Sequence, residues 1–178
     1  MKLSYDLHIH SCLSPCGDDD ATPGSIAGLA SLIGLDVIAL TDHNTCKNCP
    51  AFLAAAEAYG VTALPGMELT TAEEIHVLFY FNRLEDALAF DRYVEPRILP
   101  IPNRPEYFGN QLLMNEEDEP AGTFGTLLIS ATDISFDDTF ALARRFHGVA
   151  VPAHIDKSTT SLISQLGMIP PWSTFRLA

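Results

Sequence analysis

Residues 5–11 read YDLHIHS, a segment in which polar and apolar side chains alternate. Together with the preceding leucine, this pattern predicts a first strand over residues 3–9. His8 and His10 lie two positions apart, so their side chains are expected on one face of that strand. The carboxyl end of the strand is therefore the first candidate site in the chain.

The rest of the chain alternates short apolar runs with helical patterns, which is typical of βα units around a parallel sheet. Strands are predicted over residues 36–40, 61–64, 75–81 and 149–152, and helices over residues 23–33, 50–59, 84–94, 135–146 and 158–166. Two further strands, over residues 110–115 and 123–130, are predicted to flank an acidic turn. Since no boundary interrupts this order, we expect residues 1–178 to form a single α/β domain.

The composition restricts the class of partner. The chain has 178 residues, 47% of them apolar, and its 23 acidic and 10 basic residues give a formal net charge of −13. This charge disfavours broad electrostatic binding to nucleic acid or to an anionic membrane. The sequence has no apolar run near the ~20 residues that span a bilayer, and its first residues do not resemble a signal peptide. We expect a cytoplasmic protein.

Four more candidate ligands lie near the ends of other predicted strands. His43, Glu68 and His154 each follow a strand, whereas His76 begins one. Because the carboxyl ends of parallel strands meet at one rim, we expect these side chains to converge there, with the connection after Glu68 returning His76 to the same edge. Neutral imidazole and carboxylate are good ligands for zinc, manganese or iron, and a carboxylate such as Glu68 can bridge two ions.

The motifs DLHIHS at residues 6–11, TDHN at 41–44, GME at 66–68, HV at 76–77 and AH at 153–154 together resemble the PHP (polymerase and histidinol phosphatase) family. The resemblance covers nearly the whole chain. It implies a distorted (β/α)7 barrel with two or three divalent ions, zinc, manganese or iron, at the strand carboxyl ends. The implied activity is phosphoester hydrolysis by a metal-activated water. A small phosphorylated metabolite or a nucleotide is the expected substrate, and nucleic acid is not expected as a partner.

The resemblance also implies roles for individual residues. The first ion would be held by His8 and His10, with Glu68 shared between the first ion and the second. His76 and His154 would complete the second site, and His43 would hold a third ion, with Asp42 orienting a ligand. The implied catalytic residues are His8, His10, His43, Glu68 and His154.

A further acidic ligand is implied in the loop after the first motif. Counting back from the predicted helix start favours Asp18, while Asp19 and Asp20 remain alternatives. The loop is about three residues longer than the family pattern. A solvated acidic loop that caps the next helix is the competing interpretation.

One family motif is missing. The family ends its site with Asp-x-His on the last strand, but no histidine follows Asp156 in this chain. Five barrel strands are predicted where seven are expected, so the sequence predicts an incomplete barrel that lacks its final strands. Uncovered strand edges favour a homo-oligomer or low stability. The alternative function is a non-catalytic metal-binding or regulatory module.

The four cysteines form two close pairs in the loops that leave the first two strands. The spacings, Cys12 with Cys16 and Cys46 with Cys49, suit a separate four-cysteine zinc or iron–sulfur site. The alternative is that small side chains pack the two loops.

Overall fold

The computed structural model describes residues 2–173, which form a mixed α/β fold around a five-stranded sheet in the order β1-β2-β3-β4-β7. The strands of this sheet are β1 (Tyr5–Ile9), β2 (Val37–Leu40), β3 (Thr62–Thr70), β4 (His76–Phe81) and β7 (Gly148–Pro152). A separate hairpin consists of β5 (Leu112–Met114) and β6 (Pro120–Thr123). The helices are α1 (Pro23–Ile33), α2 (Cys49–Tyr59), α3 (Leu84–Val94), α4 (Pro105–Phe108), α5 (Phe136–Arg145) and α6 (Leu162–Leu166).

The sheet is not wholly parallel. Strands β1, β2 and β3 are parallel, whereas β4 is antiparallel to both β3 and β7. The first residue of β4, His76, therefore pairs with Thr70 at the carboxyl end of β3. This reversal confirms that the chain after Glu68 returns His76 to the rim where the parallel strands end.

Strand β3 is longer than expected, because it changes partners where the sequence suggested an end. Pro65 pairs with Leu40 of β2, and Gly66 is the first residue to pair with β4. The prediction that Glu68 follows this strand was therefore wrong, since Glu68 lies within β3 opposite Leu78. Proline and glycine mark the switch between two neighbouring strands rather than a turn.

The close approach at Gly66 has a testable consequence. A Cβ atom there would lie 2.6 Å from the Phe79 carbonyl oxygen and 3.0 Å from that of Leu40, so neither sheet neighbour leaves room for alanine. We expect Gly66→Ala to lower the free energy of unfolding by about 1–3 kcal/mol, as overpacking does. Gly125→Ala is the control, because a Cβ atom there meets nothing within 4 Å. Equal urea midpoints for the two variants would contradict this.

The two faces of the β3–β4 pair have different roles. The pairs Met67 with Phe79 and Leu69 with Val77 are fully buried on one face. There they join an aromatic core in which the Phe79 and Phe90 ring centroids lie 4.4 Å apart. The period-two alternation of a strand places Glu68 and His76 on the opposite face.

That opposite face is concave. The hydroxyl of Tyr80 on β4 donates a hydrogen bond to the carbonyl oxygen of Leu7 on β1, at 2.9 Å. Two strands, β2 and β3, separate β1 from β4 in the sheet order, so the contact requires strong curvature. The curvature brings the end of β1 over the face that carries Glu68.

Helix boundaries follow the capping residues closely. Thr22 caps α1 by accepting a hydrogen bond from the Ser25 amide, and Gly34 ends the helix in the left-handed conformation. The predicted helix over residues 158–166 begins later, at Leu162, because Ser161 and Ser164 form a capping box there.

The second hairpin strand was also misplaced. The reversal is completed within residues 115–119, where the Asn115 amide bonds to the Glu119 carbonyl and the Asn115 side chain accepts from the Glu119 amide. Strand β6 therefore lies at residues 120–123 rather than 123–130.

Strands β1 and β7 lie at the two edges of the sheet over residues 2–173, and each carries an exposed apolar side chain, Tyr5 at 65% and Val149 at 60%. The expectation of a homo-oligomer stays a prediction. Within the same residues, no helix is long and apolar enough to cross a membrane.

Candidate metal centre

The centre of the candidate site is the carboxylate of Glu68, whose residue is only 1% exposed. Five imidazoles surround it. From Oε2 the distances are 3.2 Å to His8 Nε2, 3.1 Å to His10 Nε2 and 3.3 Å to His43 Nδ1. From Oε1 they are 3.0 Å to His76 Nδ1 and 3.8 Å to His154 Nε2. The structure thus brings these six predicted residues together.

Each element of the sheet contributes to this convergence. His8 and His10 come from the end of β1, and His43 follows β2, where its backbone bridges to Glu68. The segment that contains His154 is tied to the start of β4, because the Ala153 amide donates to the His76 carbonyl. All these side chains therefore meet at the rim formed by the strand ends.

The imidazoles determine the charge of the central carboxylate. Burial alone would raise the pKa of Glu68, but hydrogen bonds from His10, His76 and His8 outweigh it and hold that pKa well below its usual range. Glu68 is therefore ionised at neutral pH and presents a buried negative charge to the rings around it.

His43 provides a direct test of whether a cation fits. Its Nδ1 atom is buried and makes no hydrogen bond, although it lies 3.3 Å from the Glu68 carboxylate. Burial lowers the pKa of His43 to about 3, so its ring is neutral. A buried, unpaired nitrogen beside an ionised carboxylate costs free energy unless a cation or a donor lies between them. The donor set therefore fits a divalent ion.

A hydrogen-bond chain orients His10. Buried Asp42 accepts from the Ser14 hydroxyl at 2.7 Å, and the same Ser14 oxygen lies 3.0 Å from His10 Nδ1. Because the Ser14 proton points to Asp42, His10 Nδ1 must be the donor to Ser14. This leaves Nε2 of His10 as the atom that faces Glu68. The family resemblance implied an orienting role for Asp42, but no pattern in the sequence indicated Ser14 as the intermediate.

The Asp42 carboxylate is held in place from a second side. The backbone amide and the hydroxyl of Ser11 both donate to it, at 2.7 Å and 2.6 Å. Asp42 thus joins the loop after β1 to the loop after β2.

Protons compete with a cation for this site. Burial would lower the pKa of His10, but hydrogen bonds to Cys16 and Glu68 raise it to about 10. The metal-free ring therefore carries a proton on Nε2 at neutral pH, and metal ligation must displace that proton.

Metal binding is accordingly expected to release at least one proton near neutral pH, so that the affinity falls by roughly tenfold or more for each unit by which the pH is lowered. Isothermal titration calorimetry in buffers of different ionisation enthalpy measures the proton release directly. Heats that do not depend on the buffer would contradict this expectation. His147→Ala, at an exposed histidine outside the cluster, should release the same number of protons as the wild type.

The cluster lies at the bottom of a cleft of about 470 Å³. The same cleft is also lined by Ile129, Lys157, Thr159 and Thr160. Lys157 brings a cationic side chain to it. Only the fold places Ile129, Thr159 and Thr160 at the site, since they come from loops without a recognisable motif.

Comparison with known proteins identifies the family. The family model described as "PHP domain" matches residues 6–154. The chain belongs to the PHP family.

Individual relatives support the fold of this PHP domain. An uncharacterized protein of Methanocaldococcus jannaschii is 31% identical over 102 residues, which are 52% of this chain and 60% of that protein. The lesion-specific endonuclease Q of Pyrococcus furiosus has a TM-score of 0.64 at 20% identity, covering 93% of this chain and 38% of that one. A proposed metal-dependent phosphoesterase of Bifidobacterium adolescentis has a TM-score of 0.52 at 18% identity, covering 86% and 68%. The chain therefore spans less than two thirds of the first two relatives.

The ligand atoms of the PHP site fall into groups that differ from those implied by the resemblance. His8 and His154 lie together with Glu68 in one group, and His43 and His76 lie with Glu68 in a second. A third group consists of His10, Cys16 and His43. In each group the ligand atoms lie within 4.8 Å of one another. The assignment of residues to individual ions stays a prediction.

Asp18 is not part of these groups among the residues that the structure describes. Its side chain is exposed and accepts a hydrogen bond from the Asp20 amide at 2.9 Å, which closes a local turn. The residue that the loop brings to the histidines is Cys16.

The structure does not bring the four cysteines together. Cys46 and Cys49 are buried with their thiols near the Gly66 carbonyl, while the Cys12 thiol lies 3.9 Å from the Leu112 carbonyl. Cys16 faces the cleft instead. No group of ligand atoms within residues 2–173 contains two thiols, so the predicted four-cysteine site was wrong for this part of the chain.

Proposed function

We propose that this PHP protein is a metal-dependent phosphoesterase that hydrolyses a phosphomonoester or phosphodiester of a small metabolite or nucleotide. The observation that carries the proposal is the buried Glu68 carboxylate with five imidazole nitrogens 3.0–3.8 Å away. Family membership supports the reaction class. Zinc, manganese or iron are the ions that this set of nitrogen and oxygen donors favours.

Individual residues of the chain would have different roles in this hydrolysis. Divalent ions held by His8, His10, His43, Glu68, His76 and His154 would polarise the phosphoryl oxygens and lower the pKa of a coordinated water. Glu68 would supply negative charge to the bound ions, and the Asp42–Ser14 chain keeps His10 in one orientation. Lys157 provides an ammonium group on the cleft wall that can pair with a substrate phosphate.

The size and charge of the site support a small substrate. A cleft of about 470 Å³ is within the range of small-ligand pockets. The chain also carries a net charge of −13, which opposes the approach of a long phosphate backbone. Endonuclease Q nevertheless combines a similar fold with action on DNA lesions, so oligonucleotides belong among the substrates to be tested.

The decisive experiment is hydrolysis of p-nitrophenyl phosphate and bis(p-nitrophenyl) phosphate with Mn²⁺ or Zn²⁺. We expect activity in the wild type, its loss in His8→Ala, and its retention in His147→Ala, which removes an exposed histidine outside the cluster. Nucleotides, sugar phosphates and short single-stranded and duplex DNA then define the substrate class. A folded, metal-loaded wild type without activity on any of these would favour the non-catalytic metal-binding module instead.

A further inference from the structure

Cys16 differs from the other three cysteines in its surroundings. Cys12, Cys46 and Cys49 are buried, whereas Cys16 is exposed and lines the cleft beside the histidine cluster. The Cys16 sulfur, one ring nitrogen of His10 and one ring nitrogen of His43 all lie within 4.8 Å of one another. Such a group of three ligand atoms could hold one metal ion, for which ordinary distances are about 2.3 Å from zinc to sulfur and about 2.0–2.1 Å from zinc to nitrogen.

We propose that Cys16 is a thiolate ligand that, together with His10 and His43, holds a divalent metal ion at the outer side of the Glu68 cluster. The inference deepens the proposed function, because it rests on the same metal centre. The thiol proton passes to solvent as the sulfur–metal bond forms.

A second observation, independent of the thiol, points to a ligand here. His43 Nδ1 is buried and makes no hydrogen bond, although four other histidines and the Glu68 carboxylate belong to the same cluster. Its partner His10 is already fixed through Ser14, so its other nitrogen is directed into the cluster. One unpaired ring and one oriented ring thus face the space that the Cys16 thiol borders.

The loop is folded in a way that positions the thiol. The Gly17 amide donates to the Ser14 carbonyl, and the Ser14 amide donates to the Ser11 carbonyl. A Cβ atom on Gly17 would overlap the Ser11 carbonyl oxygen at 2.1 Å, so the chain can take this path only with glycine after Cys16. The loop therefore directs Cys16 towards the cleft while Asp18 remains at the surface.

A thiolate changes which ion the site prefers. Sulfur is a soft donor that favours zinc, or cobalt as its spectroscopic substitute, over manganese, which favours oxygen donors. The outer site should thus hold zinc more tightly than an all-nitrogen and oxygen site of the same geometry would.

The test is titration of the whole protein with Co²⁺ while absorption is recorded in the near ultraviolet, where thiolate-to-cobalt charge transfer appears. We expect the band in the wild type and in Asp18→Asn, and its loss in Cys16→Ser. Zinc affinity in Cys16→Ser should fall by at least the roughly 10–100-fold that accompanies loss of a supporting contact to a metal site. Cys16→Asp should restore metal content without the band and shift the preference towards manganese.

Thiol labelling gives a second readout that does not depend on catalysis. Zinc should protect one exposed thiol of the wild type from a disulfide reagent, and this protection should be absent from Cys16→Ser. The inference would be overturned if Cys16→Ser kept the absorption band at unchanged intensity. It would also be overturned if Asp18→Asn lost metal while Cys16→Ser kept it. If the wild type hydrolyses phosphoesters but shows no charge-transfer band, the proposed Cys16 ligand is wrong and the proposed function stands. If the wild type shows the band but no hydrolysis, the proposed function is wrong and the Cys16 ligand stands.

Discussion

Glu68→Gln is expected to remove most divalent-metal binding and to lower kcat/KM for phosphoester hydrolysis by more than about 100-fold. Loss of a residue that only orients a metal ligand costs at most about 100-fold, and a direct ligand should cost more. The reason is that both carboxylate oxygens face imidazoles, Oε2 towards His10 and Oε1 towards His76. An amide keeps the shape but replaces one acceptor with an NH₂ donor and removes the charge that attracts the ions. Metal content per chain and kcat/KM measure the two effects.

The matched control is Glu57→Gln, at an exposed position of α2. It makes the same chemical change away from the cluster and should leave metal content and activity as in the wild type. Circular dichroism of the metal-free Glu68→Gln protein establishes that the fold is retained. If this folded variant bound zinc and manganese as tightly as the wild type, Glu68 would not be a ligand and the proposed centre would be wrong.

Asp42→Ala is expected to lower the free energy of unfolding by roughly 3–5 kcal/mol and to weaken metal binding as well. The buried carboxylate accepts hydrogen bonds from Ser11 and Ser14, and alanine would leave these donors without a partner. It would also release Ser14, which orients His10. Chemical denaturation and zinc titration measure the two losses.

A second variant separates stability from orientation. Ser14→Ala removes the link between Asp42 and His10 but retains the Asp42 bonds to Ser11. We expect a smaller loss of stability than in Asp42→Ala, together with a 10–100-fold loss of zinc affinity typical of contacts that orient a ligand.

Asp133→Ala, at a side chain that is 73% exposed, is the stability control and should change the free energy of unfolding by less than about 0.5 kcal/mol. Unchanged zinc affinity in Ser14→Ala would show that His10 needs no orienting partner.

Local patterns in the sequence predicted much of the secondary structure. The prediction of residues 84–94 as a helix was confirmed at both ends, and the helix predicted over residues 50–59 begins one residue earlier. The helix over residues 84–94 begins after a bend at residues 82–83, and α2 ends at Gly60. Both signals involve only a few neighbouring residues, so the sequence alone reveals them. Membership of the PHP family was confirmed as well, because the order of the motifs is a property of the sequence itself.

The errors arose where distant segments compete for the same backbone. Pro65 and Gly66 have the local pattern of a strand end, but pairing with β2 before them and with β4 after them keeps β3 extended. Similarly, the Thr160 carbonyl, just before the last helix, accepts a hydrogen bond from the His76 amide at the start of β4, which holds this segment outside the helix.

The sequence alone determined the spacing of the histidines and the order of the strands. From these, five histidines and Glu68 were expected to lie together at one rim of the sheet. Only the tertiary structure decided that β4 runs antiparallel and that the sheet curves until Tyr80 reaches Leu7. It also decided that Cys16 rather than Asp18 borders the histidines. The physical reason is that strand direction, curvature and loop path depend on contacts between segments far apart along the chain, which no local periodicity records.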